Sequence, residues 1–536
     1  MRIGVGVKLL FREYNVVKKH GRPSDLHAAI VYPSTYVAAI SSLATHILYF
    51  MLNRMNSVIA ERVFLKYPEG SGLEKYRSIE FRRKMRDFDI LFFSVHYEPD
   101  YVNIVDMLVN SKIPLYAKDR HGEYPVIIVG GPTVTANPEP LAEIADVLVI
   151  GEVENILDKI VDTYFSSRNK SEFLDAVAST RGIYVPLHGK HRVLKNYVKN
   201  LDEVFYPIAQ IQAEGIEPAY GRGVIVETTR GCKWHCQFCM EGFISKPKRD
   251  RSFAKIKKII EKGLEVNNVN RVVFYVLSFF DHNEADRILE FTVNDLGINA
   301  SIPSLRPNTL NDYRLELMIK AGQKTLTIAP ETLCWNIGAA IKKFIMEHKL
   351  IELIGKAVKA GFRNIKLYFI IGFPNTGFKE VSRIIEFTRK IFKEIKSLKS
   401  SQVRFSVNPL IPKPQTPLQW LPLENLKTLN EKMNYLTEEL RKISITTDFY
   451  EPKWAQVQAT IALGDRDLGK ALELWYFYGK TVGGWRRALR HSNVNVKYIE
   501  EGRSLDKELP WSHIDLRISL DYLRRGYMFF NRLMNR

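Results

Sequence analysis

Residues 232–239 read CKWHCQFC, a stretch that sets Cys232, Cys236 and Cys239 in the spacing C-x3-C-x2-C. The whole chain has only 4 cysteines, so three of them are concentrated in this one segment. Three thiolates on a tight loop can hold three irons of a [4Fe–4S] cube and leave the fourth iron without a protein ligand. The spacing therefore predicts an open iron–sulfur cluster whose fourth iron is accessible for chemistry.

Zinc ligation and disulfide bonding are other uses of such cysteines. A structural zinc site needs four ligands, usually supplied as two pairs separated by a dozen or more residues. His235 could be a fourth ligand, but it lies inside the same loop, where tetrahedral closure is awkward. Disulfide frameworks belong to small secreted domains, whereas this chain has 536 residues and no recognisable signal peptide. Zinc and inert thiols stay as the alternatives to the cluster.

Length and hydropathy indicate a multidomain globular protein. A chain of 536 residues, 46% of them hydrophobic, is long enough for two to four domains with sizeable cores. The most apolar segment, residues 36–52, is interrupted by polar side chains and is too short to span a bilayer. We expect a protein without a membrane span, located in the cytoplasm, where reducing conditions protect an exposed cluster.

The net charge of +19 favours polyanionic partners such as RNA, phosphorylated substrates or an acidic lipid surface. The basic residues are dispersed along the chain and do not form a single tail or stripe. Solvated helix faces would explain such a distribution equally well.

Residues 1–200 alternate short apolar runs with helical patterns, which predicts a doubly wound parallel sheet covered on both faces. The predicted strands are residues 28–32, 62–65, 89–95, 126–129 and 147–150, and residues 37–53 are predicted as one long helix. Ligands of such sheets sit at the carboxyl ends of the strands. Those ends carry His96, Gly130, Gly131, Gly151 and Glu152.

Residues 201–430 show the same alternation and predict a partial, six-stranded (β/α) barrel of the TIM type, with its active site at the carboxyl ends of the strands. The predicted strands are residues 223–227, 271–277, 299–302, 325–329, 364–371 and 403–407. Helices are predicted at residues 281–296, 310–321, 337–359 and 379–395. The strand ends carry Ser278, Arg306, Glu331 and Gly372, for which ordinary polarity of the barrel rim is the alternative reading.

The segment 408–420, NPLIPKPQTPLQW, contains repeated prolines that exclude regular structure and predict a stiff lid. Residues 431–536 predict a mainly helical region with interleaved aromatic and arginine side chains. Such side chains could stack on nucleotides, or they could form the core of a helical cap.

The cysteine motif, with aromatic Phe238 before its last cysteine, resembles that of radical SAM enzymes. The resemblance implies that Cys232, Cys236 and Cys239 ligate a [4Fe–4S] cluster whose open iron chelates S-adenosylmethionine (SAM). Reduction would then cleave SAM to methionine and a 5′-deoxyadenosyl radical that attacks a C–H bond. In such enzymes the cofactor supplies the radical chemistry, and the protein supplies orientation and a dry pocket.

The same resemblance implies roles for the residues at the strand ends. Phe238 and Gly372 would lie beside the adenine, and Glu331 would bind the ribose hydroxyls. Arg306 would hold the SAM carboxylate bidentately. Ser278 stands where many members have a Gly-Gly-Glu motif that binds the methionine amine, so this chain departs from the pattern there. The fourth cysteine, Cys334, would be either a reactive thiol or a buried helix-start residue.

The N-terminal sheet resembles the cobalamin-binding-like domain that precedes many radical SAM cores. The usual cobalt-ligating motif, D-x-H-x-x-G, is absent, so His96 is the better ligand candidate, and the glycines at the strand ends would let the backbone approach a large cofactor. The alternatives are that His96 is a hydrogen-bonded pocket residue, that cobalamin binds without a histidine ligand, and that cobalamin binding is lost. One group with this architecture also shares the PKP-x-TP-x-QW segment and three short motifs with this chain. These motifs lie at residues 32–36 (YPSTY), 137–140 (NPEP) and 464–466 (GDR).

The sequence thus predicts three regions: a cobalamin-binding-like sheet with linker (1–200), a radical SAM barrel (201–430) and a helical C-terminal region (431–536). The expected function is C–H activation by a 5′-deoxyadenosyl radical, with cobalamin-dependent methyl transfer as one outcome. A ferredoxin- or flavodoxin-like protein is the expected electron donor, and the substrate is not indicated. Methylthiolation is disfavoured, because one leftover cysteine cannot ligate a second cluster. The alternatives are an RNA-modifying radical SAM enzyme and a basic RNA-binding protein with a structural cluster.

Overall fold

The N-terminal part is built on a six-stranded sheet. The computed structural model describes residues 12–22 and 24–535. The strands are β1 (Leu26–Thr35), β2 (Val58–Lys66), β3 (Ile90–Ser94), β4 (Val126–Gly130), β5 (Val147–Val149) and β6 (Ile183–Tyr184). Their order is β2-β1-β3-β4-β5-β6, and β6 is the antiparallel edge strand. The five predicted strands are confirmed, because each is buried on both faces as its continuous apolar run required.

Helices cover both faces of this sheet. They are α1 (Tyr36–Ile40), α2 (Leu43–Arg54), α3 (Tyr101–Asn110), α4 (Pro132–Ala136), α5 (Leu157–Ser166) and α6 (Lys170–Val177). The prediction of one helix over residues 37–53 is wrong, because the helix is interrupted between α1 and α2. There the Ser41 hydroxyl donates to the Val37 carbonyl at 2.7 Å, and Ser42 is extended with φ −94° and ψ 119°. Serine side chains offer the backbone such alternatives to helical bonding.

The central part is an open barrel of parallel strands. The strands are β7 (Val224–Glu227), β8 (Arg271–Tyr275), β9 (Asn299–Ser301), β10 (Thr325–Glu331), β11 (Asn364–Ile371), β12 (Val403–Pro409) and β13 (Thr446–Phe449). They form the sheets β7-β8-β9 and β10-β11-β12-β13, joined by one parallel bridge between Leu305 and Ile328. All six predicted strands are present, and β13 adds a short seventh strand at the open edge.

The barrel helices are α7 (Met240–Ile244), α8 (Phe253–Asn267), α9 (Ala285–Glu290), α10 (Asp312–Lys320), α11 (Trp335–Ala340), α12 (Glu347–Ala360), α13 (Lys379–Glu394) and α14 (Leu426–Arg441). The predicted helix 337–359 is wrong as a single element. Lys342 is left-handed, with φ +55°, and the Lys343 N–H donates to the Gly338 carbonyl at 2.9 Å, which closes α11 with a Schellman-type cap. The predicted helix 281–296 begins later, at Ala285, and ends in a π-helical turn at Phe291–Asp295.

The C-terminal helices are α15 (Pro452–Ala462), α16 (Leu468–Phe477), α17 (Val482–Ser492), α18 (Tyr498–Glu501) and α19 (Leu520–Met534). Trp475, Trp485 and Trp511 are at most 2% exposed, so these rings form core and are too deeply buried to stack on a nucleotide. The first two belong to a hydrophobic cluster shared with the N-terminal sheet. No helix in the described part of the chain is long and apolar enough to cross a membrane.

Two of the short sequence motifs bind each other and join the first and last parts of the chain. The Asn137 amide donates to the carbonyls of Ala462 and Gly464 at 2.9 and 2.8 Å. Glu139 is fully buried and accepts hydrogen bonds from Tyr184 at 2.9 Å and from Arg466 at 3.0 Å. The motifs at residues 137–140 and 464–466 therefore act as a structural tie. The three-region division with boundaries near 200 and 430 stays a prediction.

Candidate functional site

The cysteine loop lies at the carboxyl end of the first barrel strand, β7. A hairpin that pairs Thr229–Arg230 with Arg249–Asp250 closes the loop at its base. Gly231 enters the loop with φ +89°, and a Cβ there would lie 2.8 Å from the Ser245 carbonyl oxygen, so only glycine fits without displacement. The loop ends at Cys239, which is the N-cap of α7 and accepts a hydrogen bond from the Gly242 N–H at 3.4 Å.

Burial disfavours the thiolate forms of Cys232 and Cys239. Burial raises the pKa of Cys232, and it raises the pKa of Cys239 to about 12. Cys236 is buried, and its sulfur accepts a hydrogen bond from the Arg306 guanidinium at 3.0 Å. Thiolate formation here therefore depends on positive charge, which bound iron and Arg306 would both supply. The thiol donors and the adjacent cation fit an iron–sulfur cluster.

The contacts of His235 do not favour a role as a fourth zinc ligand. Its Nδ1 lies 2.7 Å from the Lys246 ammonium nitrogen and 2.8 Å from the Tyr522 hydroxyl. Within residues 12–22 and 24–535, no three His, Cys, Asp or Glu side chains are grouped so that they could hold a single metal ion. The geometry thus gives the zinc alternative no support.

Arg306 and Ser278 bring unsatisfied polar atoms to the ends of neighbouring strands. The Arg306 guanidinium lies 3.9 Å from the centre of the Trp234 ring, whose N–H donates to Asp281. Arg306 Nε and Ser278 Oγ are both buried and have no hydrogen-bond partner among the described residues. Leaving such an atom unpaired costs about 1–3 kcal/mol, so buried orphan atoms call for a ligand. A molecule with a carboxylate and an amine fits these two positions.

Glu331 is held in a strained backbone conformation at the end of β10. Its φ is +67°, and the pairing of β10 with β11 shifts register between Ile328 and Glu331. A non-glycine residue in this region costs about 1–3 kcal/mol, and such residues concentrate at functional sites. The carboxylate is 9% exposed and pairs with the Lys343 ammonium at 2.7 Å. Its remaining acceptor capacity fits a pair of ribose hydroxyls.

A buried network that the sequence reasoning missed supports Gly372. The Gly372 N–H, in a turn with φ +89°, donates to Glu380 at 2.8 Å. Glu380 pairs with Lys432 at 2.6 Å, and Lys432 also pairs with Glu424 at 2.8 Å. Burial raises the pKa of Glu380, and Lys432 offsets part of that rise. In the sequence, the only local indication of this network is Glu380, an acidic residue in the first turn of α13, which follows the glycine turn.

Phe238, which belongs to the cysteine loop, packs against an apolar cluster that contains Cys334 and Phe373. Cys334 is 4% exposed and is the N-cap of α11. Burial raises the pKa of its thiol. Cys334 is therefore a buried helix-start residue, and the alternative of a reactive thiol gains no support.

The predicted cobalamin residues at the edge of the N-terminal sheet fall into two kinds. Cβ atoms at Gly131 and Gly151 would lie 2.0 Å from the carbonyl oxygens of Val95 and Asn196, so the packing of the chain itself requires these glycines. Glu152 pairs with Arg249 at 2.7 Å and with Arg230 at 3.0 Å. These three residues make internal contacts, and their role at a cobalamin stays a prediction.

His96 and Gly130 have looser surroundings. A Cβ at Gly130 would meet no atom closer than the Val149 Cβ at 3.4 Å. The half-buried His96 ring lies 5.7 Å from the Tyr32 ring, and its Nε2 is 3.3 Å from the Ser94 hydroxyl. Burial lowers the pKa of His96, which favours the neutral imidazole that metals bind. Of the predicted cobalamin residues, His96 fits the role of a ligand.

The carboxyl edges of the sheet and the barrel face each other. After β3, the Tyr97 hydroxyl pairs with that of Tyr450, and Glu98 pairs with Lys413 of the proline-rich segment. Burial together with the neighbouring Glu98 carboxylate raises the pKa of Glu241, in α7, to about 7. The cysteine loop and the end of β3 therefore border the same interior space.

Comparison with known proteins agrees with this geometry. Residues 44–186 match the model described as radical SAM proteins, N-terminal, and residues 226–388 match the radical SAM superfamily model. An uncharacterized protein of Methanocaldococcus jannaschii is 31% identical over 493 residues, which cover 91% of this chain and 99% of that protein. An uncharacterized methyltransferase of Pyrococcus horikoshii is 26% identical over 325 residues, 56% of this chain and 67% of that protein.

Among solved structures, the cobalamin-dependent SAM radical enzyme OxsB, with aqua-cobalamin and SAM bound, superposes with a TM-score of 0.51 at 13% identity. The match covers 95% of this chain and 79% of OxsB. This likeness confirms the fold, a cobalamin-binding-like sheet followed by an open barrel. The chain belongs to the radical SAM superfamily. It is an enzyme whose cofactors are, as in that superfamily, a [4Fe–4S] cluster and SAM.

Proposed function

We propose that Cys232, Cys236 and Cys239 hold a [4Fe–4S] cluster and that this enzyme cleaves SAM to activate a substrate C–H bond. The observation that carries the proposal is the position of the three-cysteine loop. It caps β7 beside two buried polar atoms without partners, on Ser278 and Arg306, and across the barrel rim from the strained Glu331.

When bound and reduced, the cluster would supply the electron that cleaves SAM to methionine and a 5′-deoxyadenosyl radical. The chain's own residues orient the substrate of that step. Arg306 and Ser278 would bind the carboxylate and amine of the methionine moiety, and Glu331 would accept hydrogen bonds from the ribose. Phe238 and the Gly372 turn, which Glu380 fixes, would border the adenine.

The facing edges of sheet and barrel would exclude water from the reacting atoms. The Lys413–Glu98 ion pair and the Tyr97–Tyr450 contact join the two edges. A carbon radical needs such shielding, because stray hydrogen donors such as thiols from solution would divert it. The substrate would lie between the two edges. An oxygen-sensitive cluster fits a reducing compartment such as the cytoplasm.

The test is SAM cleavage by the anaerobically purified protein, reconstituted with iron and sulfide and reduced with dithionite. We expect 5′-deoxyadenosine from the native chain and none from a variant with Cys232, Cys236 and Cys239 all changed to Ala. Cys334→Ala is the matched control, and it should retain both cluster and product. A native protein that holds the cluster but forms no product would refute the proposal and leave the alternative, an RNA-binding protein with a structural cluster.

A second candidate, cobalamin-dependent methyl transfer, is favoured by His96 at the edge that faces the cysteine loop. The likeness to a P. horikoshii methyltransferase and to the cobalamin-bound OxsB supports it as well. The purified enzyme should then contain cobalt, and His96→Ala should change the cobalamin absorption spectrum. A cobalamin-free enzyme that still forms 5′-deoxyadenosine would eliminate this candidate and leave the first intact.

A further inference from the structure

Asp281 ties the cysteine loop to the carboxyl end of β8. It closes the 3₁₀ turn Phe279–Asp281, which follows that strand. Its carboxylate accepts a hydrogen bond from the indole N–H of Trp234 and pairs with the Lys233 ammonium at 2.9 Å. Both partners lie between the first two cysteines of the loop, so this one buried carboxylate fixes the stretch of chain that joins two of the proposed cluster ligands.

The indole of Trp234 in turn supports Arg306. The central carbon of the Arg306 guanidinium, Cζ, lies 3.9 Å from the centre of the Trp234 ring, a distance at which the flat cation stacks on the ring face. Arg306 is buried, so this contact is shielded from solvent, where a cation–π contact is strongest. The guanidinium Nη1 donates to the Cys236 sulfur at 3.0 Å, while Nε has no partner within residues 12–22 and 24–535.

Asp281, Trp234 and Arg306 therefore form a continuous chain of contacts that ends at a cysteine sulfur. A guanidinium is a planar fork with five N–H donors, so its orientation decides which donors face the sulfur and which stay available for a carboxylate. An arginine side chain that rotates freely must lose that freedom when it binds a ligand, whereas a stacked side chain has already lost it. A fixed Arg306 can thus donate to the sulfur and to a carboxylate at the same time.

We propose that Trp234 and Asp281 are positioning residues, which act through Arg306 on both the binding of SAM and the reduction potential of the cluster. The assignment rests on the proposed function, in which Arg306 binds the SAM carboxylate. Asp281 holds the indole, and the indole holds the guanidinium in the orientation that serves both partners. Hydrogen bonds to the sulfurs of an iron–sulfur cluster raise its potential, because they favour the more negative, reduced state.

The test measures SAM binding by titration and the midpoint potential of the cluster by EPR, both on the anaerobically reconstituted protein. Trp234→Leu and Trp234→Phe lose the same indole N–H, but only the Phe variant keeps an aromatic face for the guanidinium. Asp281→Ala removes the support of the indole, leaves the ring in place and repeats the comparison if Trp234→Leu does not assemble the cluster. Trp454→Leu is the matched control, because Trp454 is a half-buried ring that packs against Trp475 of the C-terminal helices.

Trp234→Leu should raise the Kd for SAM by about 2- to 30-fold, the factor that corresponds to a cation–π contact, and Trp234→Phe and Asp281→Ala should raise it less. Without SAM, Trp234→Leu should lower the midpoint potential, so that at a fixed potential the ratio of reduced to oxidised cluster falls by about 3- to 10-fold. Trp454→Leu should change neither quantity. A role in folding alone would lower the iron content without shifting the midpoint potential of the cluster that remains.

Double variants decide whether Trp234 and Asp281 act through Arg306. Residues that act through one partner give non-additive effects, so Trp234→Leu/Arg306→Gln and Asp281→Ala/Arg306→Gln should each bind SAM as weakly as Arg306→Gln alone. Multiplied losses in the double variants, equal Kd values for the Leu and Phe variants, or an unchanged midpoint potential in both Trp234→Leu and Asp281→Ala would overturn the proposal. Failure of the native, cluster-bearing protein to cleave SAM with dithionite would instead refute the proposed function.

Discussion

Glu139 and Glu331 are both buried carboxylates at ligand-facing ends of parallel sheets, yet their surroundings differ. Glu139, near the N-terminal sheet, is fully buried and is surrounded by donors from Tyr184, Arg466 and Lys190. Glu331, on the barrel, has one lysine partner and a strained backbone. The hydrogen-bonding capacity of Glu139 is fully used, whereas Glu331 keeps unused acceptor capacity and a strained backbone. Polar satisfaction therefore distinguishes the two carboxylates.

The same contrast holds for the two edges as wholes. The edge of the N-terminal sheet commits Glu152 to two arginines and uses Gly131 for close backbone packing. The barrel edge presents thiols and the orphan atoms of Ser278 and Arg306. We expect substitutions of Gly131 and Glu152 at the first edge to change stability and substitutions at the second edge to change cofactor binding.

The largest effect should follow loss of a cluster ligand at the barrel edge. Cys236→Ala should abolish 5′-deoxyadenosine formation, by at least about 1,000-fold, because electron transfer to SAM requires the cluster. Its far-UV circular dichroism should match that of the native apoprotein, with iron content and product measured together. Cys334→Ala provides the comparison, since it removes a buried thiol that lies outside the cysteine loop. Retained activity in Cys236→Ala would contradict the assignment of cofactor binding to the barrel edge.

Glu139→Ala should destabilise the fold by about 1–3 kcal/mol, because it leaves the buried Tyr184 hydroxyl of the structural tie without its acceptor. Urea unfolding followed by circular dichroism measures this loss. Glu331→Gln is the counterpart and should cost less than about 1 kcal/mol, because the amide oxygen can still accept a hydrogen bond from the Lys343 ammonium. Similar costs for the two variants would show that saturation does not distinguish the carboxylates.

Glu331→Gln should raise the KM for SAM by about 10- to 100-fold, because the loss of one hydrogen bond to a charged acceptor corresponds to a factor of this size. Binding is measured by SAM titration and by initial rates of 5′-deoxyadenosine formation. Glu331→Gly sharpens the test, because glycine relieves the positive φ. It should be more stable than Glu331→Ala by about 1 kcal/mol and should bind SAM equally poorly.

The smallest effect concerns Asp100, at the otherwise satisfied N-terminal edge. Burial raises its pKa to about 7, and Asn103 and Lys480 offset only part of that rise. The folded state therefore binds the proton more tightly than the unfolded state, so this contribution to stability is complete below pH 4 and is lost as pH rises through 7. Asp100→Asn should reduce the loss of stability between pH 5 and pH 8 by about 1 kcal/mol, measured as the shift in Tm. An unchanged pH profile would place Asp100 in contact with water.

The sequence was informative where the determining interactions are local. Each buried strand has its own apolar run, and the cysteine spacing is contained in eight residues, so both were predictable. The breaks in the helices were not, because they depend on the Ser41 hydroxyl and on the left-handed backbone of Lys342, whose side chain gives no such signal. The contacts of Gly131 with Val95 were equally invisible, since a glycine in a sequence does not reveal which backbone approaches it.

The candidate site was predictable residue by residue and not as a network. Glu331, Arg306 and Ser278 lie at strand ends, which the barrel pattern locates. The support of Gly372 by Glu380 and Lys432 joins α13 to α14, and only the fold brings these residues together.

The hydrophobic cluster that joins the N-terminal sheet to α15, α16 and α17 has a consequence for biosynthesis. Phe93 and Val129 share that cluster with Val457 and Trp485, which follow roughly 330 to 390 residues later. At about 5–20 residues per second, the ribosome needs about 15–80 s to supply the missing helices. During that interval one apolar face of the first-made sheet lacks its final cover, so the nascent chain is a natural client for a chaperone until its last quarter has emerged.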